Sequence, residues 1–302
     1  MKLWEHYHTP ATTDEALGLL RQYAGRARVI AGGTDLLVDA RAAVTDPGKA
    51  AAFQPHEALI DITRIPEMTH IAETDDAIVI GAGVTHTQIV KSALIKRYAA
   101  CLVESCGVVG GPQVRNVATL GGNVAHALPA GDGTTSLVAL DAEAEISQGG
   151  VRRWVPILDL FVGTGKSLVD STQDMLIGFR FRKTAPDQAT AFSRIMRPQG
   201  VALPILGCAV WMHVNGEGTH CAAARICIAP VAPTPKRAHE VEAAISGQPL
   251  GEALIETAIQ AADQSLAPRT SKYRATAEYR DEMMAVLLRR TITACMNRLS
   301  AV

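Results

Sequence analysis

The chain is poor in aromatic side chains and carries almost no net charge. Of its 302 residues only 4% are aromatic, and 29 basic residues are balanced by 30 acidic ones. Nucleic-acid binding needs a basic field and often stacked aromatic rings, so this composition argues against it. A membrane-spanning helix needs about 20 consecutive apolar residues, and no such run occurs. We therefore expect a soluble protein with a core of Ala, Val, Leu and Ile.

The cysteines show no pattern of a metal or disulfide framework. All six are scattered, without a C-x-x-C pair or a dense four-cysteine cluster. Cys101 and Cys106 would make only half a metal site, and two buried thiols are the simpler interpretation. The N-terminal residues also lack the apolar stretch of a secretory signal. These features predict a reduced, cytoplasmic protein.

Three motifs that suggest other chemistry are incomplete. Gly81-Ala-Gly83 resembles the start of a nicotinamide-binding fingerprint, but His86 replaces the third glycine. Gly163-Thr-Gly-Lys-Ser167 imitates a phosphate loop, yet Leu160 occupies the position of its first glycine. No pair of histidines has metal-ligand spacing on a helix, and no Gly-x-Ser-x-Gly elbow occurs. We predict neither a metal site nor a catalytic nucleophile.

Apolar periodicity in the first half predicts a mixed α+β chain. Thr12 and Glu15 have the spacing of a capping box and begin a helix, and a strand at Val29-Ile30 follows. Residues 42–58 lack periodicity and are predicted to form a surface loop. Hairpins are predicted over residues 71–80 and around Gly149-Gly150. Residues 135–140 fit a helix or a strand, and residues 113–117 fit a short strand or a turn.

The second half predicts a small sheet with helices against it. Two apolar strands, 205–214 and 222–229, flank a turn, and residues from 236 onward are helical in three pieces. The breaks fall at 247–249 and 267–268. Together with the polar connector at 184–190, these patterns divide the chain into residues 1–58, 59–178 and 179–302.

Two glycine pairs form the strongest functional signal. Gly32-Gly33 and Gly121-Gly122 each have a threonine beside them and a short polar residue nearby. A double glycine permits positive φ and lets backbone N–H groups approach a ligand such as a pyrophosphate. By themselves these pairs are equally compatible with a dinucleotide or phosphate site and with ordinary structural turns.

Several longer motifs resemble one known family, the FAD-binding (medium) subunits of molybdenum hydroxylases, of the xanthine dehydrogenase and carbon monoxide dehydrogenase type. The resemblance spans nearly the whole chain. It includes residues 31–36 and 111–123, Pro129 and Asp132, Leu203-Pro204, residues 229–235 and residues 277–280. It implies an α+β FAD-binding fold of two α/β subdomains, residues 1–58 and 59–178, and a C-terminal domain of a three-stranded sheet and helices.

The same resemblance implies the cofactor site. The pyrophosphate and adjoining sugar of FAD are expected at Ala31, Gly32, Gly33, Thr34 and Asp35 and at Thr119, Leu120, Gly121, Gly122 and Asn123. Asp132 would be a polar contact, Val109 an apolar wall near the adenine, and Leu176 a backbone or packing contact. Arg194 stands where relatives often have a lysine near the flavin, and Arg cannot donate a proton as Lys can.

The role that the resemblance implies is electron transfer. A molybdopterin-cofactor large subunit and a [2Fe-2S] small subunit would deliver electrons to FAD, which passes them to an acceptor such as NAD. No catalytic acid or base is expected on this chain, and FAD should be its only redox cofactor, because a four-cysteine insertion is absent. A heterotrimer or its dimer is expected. Two alternatives stay open: a stand-alone flavin oxidase or reductase, and a non-enzymatic FAD- or nucleotide-binding module.

Overall fold

The chain folds into three successive units, each with its own sheet. The structure is a computed structural model that describes residues 3–46, 55–197, 203–271 and 274–300. Within these ranges the strands form sheets of three, five, three and two strands. The predicted α+β class is confirmed, and so is the three-stranded sheet of the C-terminal part.

The first unit is a parallel sheet covered by one helix. Its elements are β1 His6–His8, α1 Thr13–Tyr23, β2 Ala27–Ile30, α2 Leu36–Thr45 and β3 Ala58–Asp61. The strand order is β1-β3-β2, and both pairings are parallel. Helix α1 begins as predicted, because the Thr12 hydroxyl accepts a hydrogen bond from the N–H of Glu15. It then buries Ala16, Leu17 and Leu20 on one face.

The loop predicted for residues 42–58 is wrong at both ends. Helix α2 continues to Thr45, and β3 begins at Ala58. The helix extends because the alanine-rich end favours helix and because Ala40 and Ala43 are buried. Residues 47–54, in the middle of the predicted loop, lie outside the described residues.

The second unit is an antiparallel sheet with helices on it. Its strands are β4 Ile71–Glu73, β5 Ala77–Gly81, β6 Glu143–Gln148, β7 Val151–Pro156, the hairpin β8 Phe161–Gly163 and β9 Lys166–Ser167, and β10 Met175–Arg182. Its helices are α3 His86–Lys91, α4 Ala93–Tyr98, α5 Ala100–Gly107, α6 Pro112–Arg115, α7 Leu120–Ala125 and α8 Asp132–Ala139. The main sheet has the order β4-β5-β10-β6-β7, and both predicted hairpins are confirmed.

Local predictions in the second unit are partly corrected. The segment 113–117 was expected as a strand or turn, but Pro112 begins the short helix α6 instead. The ambiguous run 135–140 lies mainly in helix α8. The phosphate-loop look-alike at Gly163–Ser167 is the hairpin β8–β9, so no helix N-terminus follows it.

The third unit is an antiparallel sheet packed against three helices. Its elements are β11 Gln188–Met196, β12 Pro204–Val214, β13 Cys221–Ala229, α9 His239–Ile245, α10 Glu252–Ser265 and α11 Ala277–Leu299. Both predicted strands, their turn and the breaks between the helices are confirmed. The boundary predicted at residue 178 falls within β10, whose pairing with β5 continues to Arg182.

Two hydrophobic clusters divide the core. One joins the first and second units and includes Phe192, Ala209 and Cys227 of the third, and the other lies within the third unit between its sheet and helices. Glu104 on α5 links the second unit to the third, because it accepts a hydrogen bond from the Phe192 N–H at 2.7 Å and forms an ion pair with Arg298 on α11. No helix among the described residues is both long and apolar enough to span a membrane.

Candidate functional site

All three units contribute to one cavity. Its volume is about 370 Å³, and its walls come from residues 28–36 of the first unit, from the second unit, and from Arg194, Leu203, Pro204 and Arg274 of the third. Cofactor cavities typically fall in this size range and lie between domains. The cavity is therefore the candidate binding site.

The cavity brings together nearly all the residues predicted from the sequence. Those that line it are Ala31, Gly32, Gly33, Thr34, Asp35, Val109, Thr119, Gly121, Gly122, Asn123, Asp132, Leu176 and Arg194. Leu120 is the exception, because its side chain is fully buried in the hydrophobic core. Its backbone N–H also bonds elsewhere, to the carbonyl of Val84.

The first glycine loop presents free backbone donors at the start of α2. Gly33 has φ of +65°, a conformation that glycine adopts without strain. The N–H groups of Gly32, Gly33, Thr34 and Asp35 have no hydrogen-bond acceptor among the described residues. N–H groups gathered at a helix N-terminus favour an anion such as a phosphate.

The second glycine pair does not present the free backbone N–H groups that its sequence suggested. Thr119 caps helix α7, and its hydroxyl accepts a hydrogen bond from the Gly122 N–H at 3.0 Å. The N–H of Gly121 donates to the carbonyl of Ala82, and that of Asn123 donates to the carbonyl of Thr119. These three amides are thus occupied and are not available to a bound phosphate, whereas the side chains of Thr119 and Asn123 lie at the cavity.

Glycine at position 121 is required by packing against the chain itself. A Cβ there would lie 2.4 Å from the carbonyl oxygen of Ala82, next to β5. At Gly122 the nearest atom would be the Thr119 hydroxyl at 3.2 Å. Of the four glycines, only Gly33 has the positive φ that the pattern suggested.

His86 also lines the cavity. From the sequence it was noted only as the residue that replaces the third glycine of a nicotinamide-binding fingerprint. Its side chain is 1% exposed, and its Nδ1 has no hydrogen-bond partner among the described residues. Burial, and then the charge of Arg115, lowers the pKa of His86 to about 4. The ring is therefore neutral at neutral pH and has hydrogen-bonding capacity left for a bound molecule.

Asp132 and Arg194, which both line the cavity, form a buried ion pair. The Nη1 of Arg194 donates to the Oδ2 of Asp132 at 2.6 Å, and both side chains are almost fully buried. Burial raises the pKa of Asp132 to about 6, while Arg194 opposes that shift, so the carboxylate is ionised at neutral pH. The pair joins the start of α8 to β11 of the third unit.

Arg274 lies near Asp132. It was not among the site residues predicted from the sequence. It lines the cavity, and its Nη1 donates to the carbonyl of Pro204 at 3.3 Å. No local motif marks it, because it precedes α11 in a stretch without periodicity.

The donor set fits an elongated, anionic dinucleotide. Free amides at Gly32–Asp35 suit a pyrophosphate, Val109 and Leu176 supply apolar wall, and His86 leaves a buried ring nitrogen for a polar contact. Within the described ranges no group of three or more His, Cys, Asp or Glu side chains is placed to hold a metal ion.

Two family models match the chain in succession. Residues 2–181 match the FAD binding domain in molybdopterin dehydrogenase, and residues 190–295 match the CO dehydrogenase flavoprotein C-terminal domain. The carbon monoxide dehydrogenase medium chain of Hydrogenophaga pseudoflava is 30% identical over 97% of both chains. The xanthine dehydrogenase FAD-binding subunit of Escherichia coli O157:H7 is 28% identical over 95% of this chain and 94% of that protein.

Solved structures agree over the whole fold. The carbon monoxide dehydrogenase structure from Hydrogenophaga pseudoflava that lacks the Mo-pyranopterin moiety superposes with a TM-score of 0.86 and 30% identity, covering 97% of this chain and 98% of that one. A Cu,Mo-CO dehydrogenase structure gives a TM-score of 0.85 at 26% identity and covers 98% of each chain.

Proposed function

Since this chain belongs to the family of FAD-binding subunits of molybdenum hydroxylases, we propose that it accepts electrons from [2Fe-2S] clusters of a partner chain and passes them to an acceptor such as NAD. The observation that carries the proposal is the cavity with its free amides at Gly32–Asp35, closed by residues of the third unit. It suits one long dinucleotide held across all three units.

The protein's own task in this scheme is binding and orientation. FAD supplies the redox chemistry when bound, since it can exchange electrons with both one- and two-electron partners. The amides of Gly32, Gly33 and Thr34 would hold the pyrophosphate, and the neutral ring of His86 would supply a polar contact to the cofactor. The ion pair between Asp132 and Arg194 holds the start of α8 against β11 at the cavity wall.

The partners belong to the same proposal. Relatives are named as a medium chain and as FAD-binding subunits, which supports assembly with a molybdopterin-cofactor large subunit and a [2Fe-2S] small subunit. We propose a heterotrimer or a dimer of heterotrimers. The cytoplasmic location predicted from the cysteines is supported by six buried, unbridged thiols.

Reduction of the bound flavin tests the proposal. The chain is purified alone and together with the products of neighbouring genes, and each sample is given carbon monoxide, xanthine or nicotinate anaerobically, the substrates that relatives' names indicate. We expect the flavin absorbance to bleach only in the co-purified complex. Formation of NADH on adding NAD then identifies the acceptor. Bleaching in the lone chain would support a stand-alone oxidase or reductase instead.

A further inference from the structure

Three arginines cluster at the start of α11, beside the third-unit end of the cavity. The Nη1 of Arg280 donates to the backbone carbonyl of Arg269 at 2.7 Å. Arg274 lies between them in sequence and reaches the cavity wall. Arg269 is exposed, Arg274 is half-buried and Arg280 is buried. The cluster therefore runs from the surface inward.

The charge of this cluster is not balanced by nearby carboxylates. Burial lowers the pKa of Arg280, and the charges of Arg274 and Arg269 lower it further, with no opposing carboxylate among the described residues. For Arg274 the single opposing carboxylate is Asp132. That carboxylate already binds Arg194 at 2.6 Å. The region therefore carries an excess of positive charge.

Several half-buried arginines of the described chain are paired with acids, although Arg115 instead donates to the backbone carbonyls of Val109 and Gly110. These pairs are Arg237 with Glu242, Arg298 with Glu104, Arg225 with Asp141, and Arg194 with Asp132. Arg280 has no such acid partner among the described residues, although it is only 4% exposed. Its Nε is buried without a hydrogen-bond acceptor in the described part of the chain. Buried charges are normally paired, so this arrangement points to an anion supplied from outside.

The bond from Arg280 to Arg269 explains only part of the arrangement. It fastens the segment before α11 to the helix and uses one of the five N–H donors of the guanidinium. A neutral donor such as Gln offers the same bond to a carbonyl. This bond therefore does not explain why position 280 carries a fixed positive charge or why two further guanidinium groups lie beside it.

We propose that Arg269, Arg274 and Arg280 bind a phosphate group, at a site separate from the free amides of Gly32–Asp35. Guanidinium groups match tetrahedral oxyanions, because their planar N–H pairs bond to two oxygens at once. The exposed Arg269 is the outermost contact, and Arg280 supplies charge from behind. The source is either inorganic phosphate or the phosphate of a nucleotide that approaches the cavity from outside.

Calorimetric titration of the FAD-loaded chain tests this site. Inorganic phosphate is titrated at constant ionic strength held with chloride, into the natural chain and into the variants Arg269→Gln, Arg280→Gln and Arg280→Lys. Arg290→Gln is the matched control, because it removes the same charge from an exposed position on the same helix. We expect about a tenfold or greater loss of affinity for Arg269→Gln and Arg280→Gln. Arg280→Lys should lose less, and Arg290→Gln should bind as the natural chain does.

Arg269→Gln keeps the test decisive if Arg280→Gln fails to fold, because Arg269 is exposed and uses only its carbonyl in the Arg280 bond. The proposal is overturned if the natural chain binds no phosphate, if Arg269→Gln and Arg290→Gln behave alike, or if FAD loading abolishes binding. Tighter binding of ADP-ribose than of phosphate, with the same loss in Arg269→Gln, identifies a nucleotide as the source. Equal or weaker binding identifies the free anion.

The FAD content of each sample separates this inference from the proposed function. A chain that carries FAD but binds no phosphate contradicts the arginine site alone. A chain that binds phosphate through Arg269 but never takes up FAD contradicts the proposed function alone.

Discussion

Gly32 lies directly against the backbone of Val117, so that a Cβ on Gly32 would be 2.1 Å from the Val117 carbonyl oxygen. The first glycine loop and the segment before the second glycine pair are therefore in contact. Gly32 is required at this point by the close approach of two backbones, while its neighbour Gly33 has the positive φ that glycine adopts without strain. The two motifs form one structure because of this contact.

Gly32→Ala should separate the two motifs. The added methyl group has only backbone atoms to displace, so we expect a loss of about 2 kcal/mol or more in the free energy of unfolding, together with loss of FAD. Gly216→Ala is the matched control, because a Cβ on this exposed turn residue would meet no atom within 4 Å. Urea unfolding and the ratio of flavin to protein absorbance measure both effects. Equal behaviour of the two variants would show that the close approach at Gly32 is unimportant.

His86 should make the protein less stable in acid. The pKa of His86 is about 4 in the folded chain, below the ordinary value of about 6.5 that applies to the unfolded chain. The unfolded chain therefore binds the proton more readily, and stability present above about pH 6.5 is lost as the pH falls toward 4. By pH 5 the loss should be about 2 kcal/mol.

The variant His86→Leu isolates this effect from other titrating groups. Its free energy of unfolding should fall by about 2 kcal/mol less than that of the natural chain between pH 7.5 and pH 5. Urea midpoints at the two pH values provide the measurement. Parallel losses in both proteins would mean that His86 is not buried as a neutral ring.

Asp132→Asn should be costly, because it leaves the buried Arg194 guanidinium without its carboxylate. We expect a loss of about 3 kcal/mol, which is typical when one partner of a buried ion pair is removed. Asp141→Asn makes the same change at an exposed pair with Arg225 and Arg237 and should cost less than about 1 kcal/mol. Thermal unfolding compares the two. A similar small cost for both would show that the Asp132–Arg194 pair is well solvated.

Glu104→Ala should loosen the third unit from the second. The change removes the ion pair with Arg298 and leaves the Phe192 N–H without its acceptor, so we expect a loss of about 2 kcal/mol. Hydrogen exchange should rise at β11 and at the end of α11 more than in the parallel sheet of the first unit. Arg289→Ala, which removes exposed ion pairs with Glu252 and Glu256, is the control and should change little.

The sequence by itself determined the class, the order of most elements and the family. Local signals suffice for these features: Thr12 caps α1 through its own hydroxyl, Gly149-Gly150 forms the turn of the β6–β7 hairpin, and the apolar runs around residues 205–229 pair across a short turn. The glycine motifs are also local, so nearly every predicted site residue lines the cavity. The last residues of helix α2 were predicted as loop, because alanine supports a helix without showing strong periodicity.

Only the tertiary structure decided which donors are free and which charges are paired. The amides of Gly121 and Asn123 are occupied because β5 and Thr119 lie beside them, whereas those of Gly32 and Gly33 meet no acceptor in the described chain. Asp132 and Arg194 are 62 residues apart, and His86 and Arg274 reach the same cavity from different units. Hydrogen bonding, burial and charge compensation depend on neighbours brought together by folding, and no local pattern of residues encodes them.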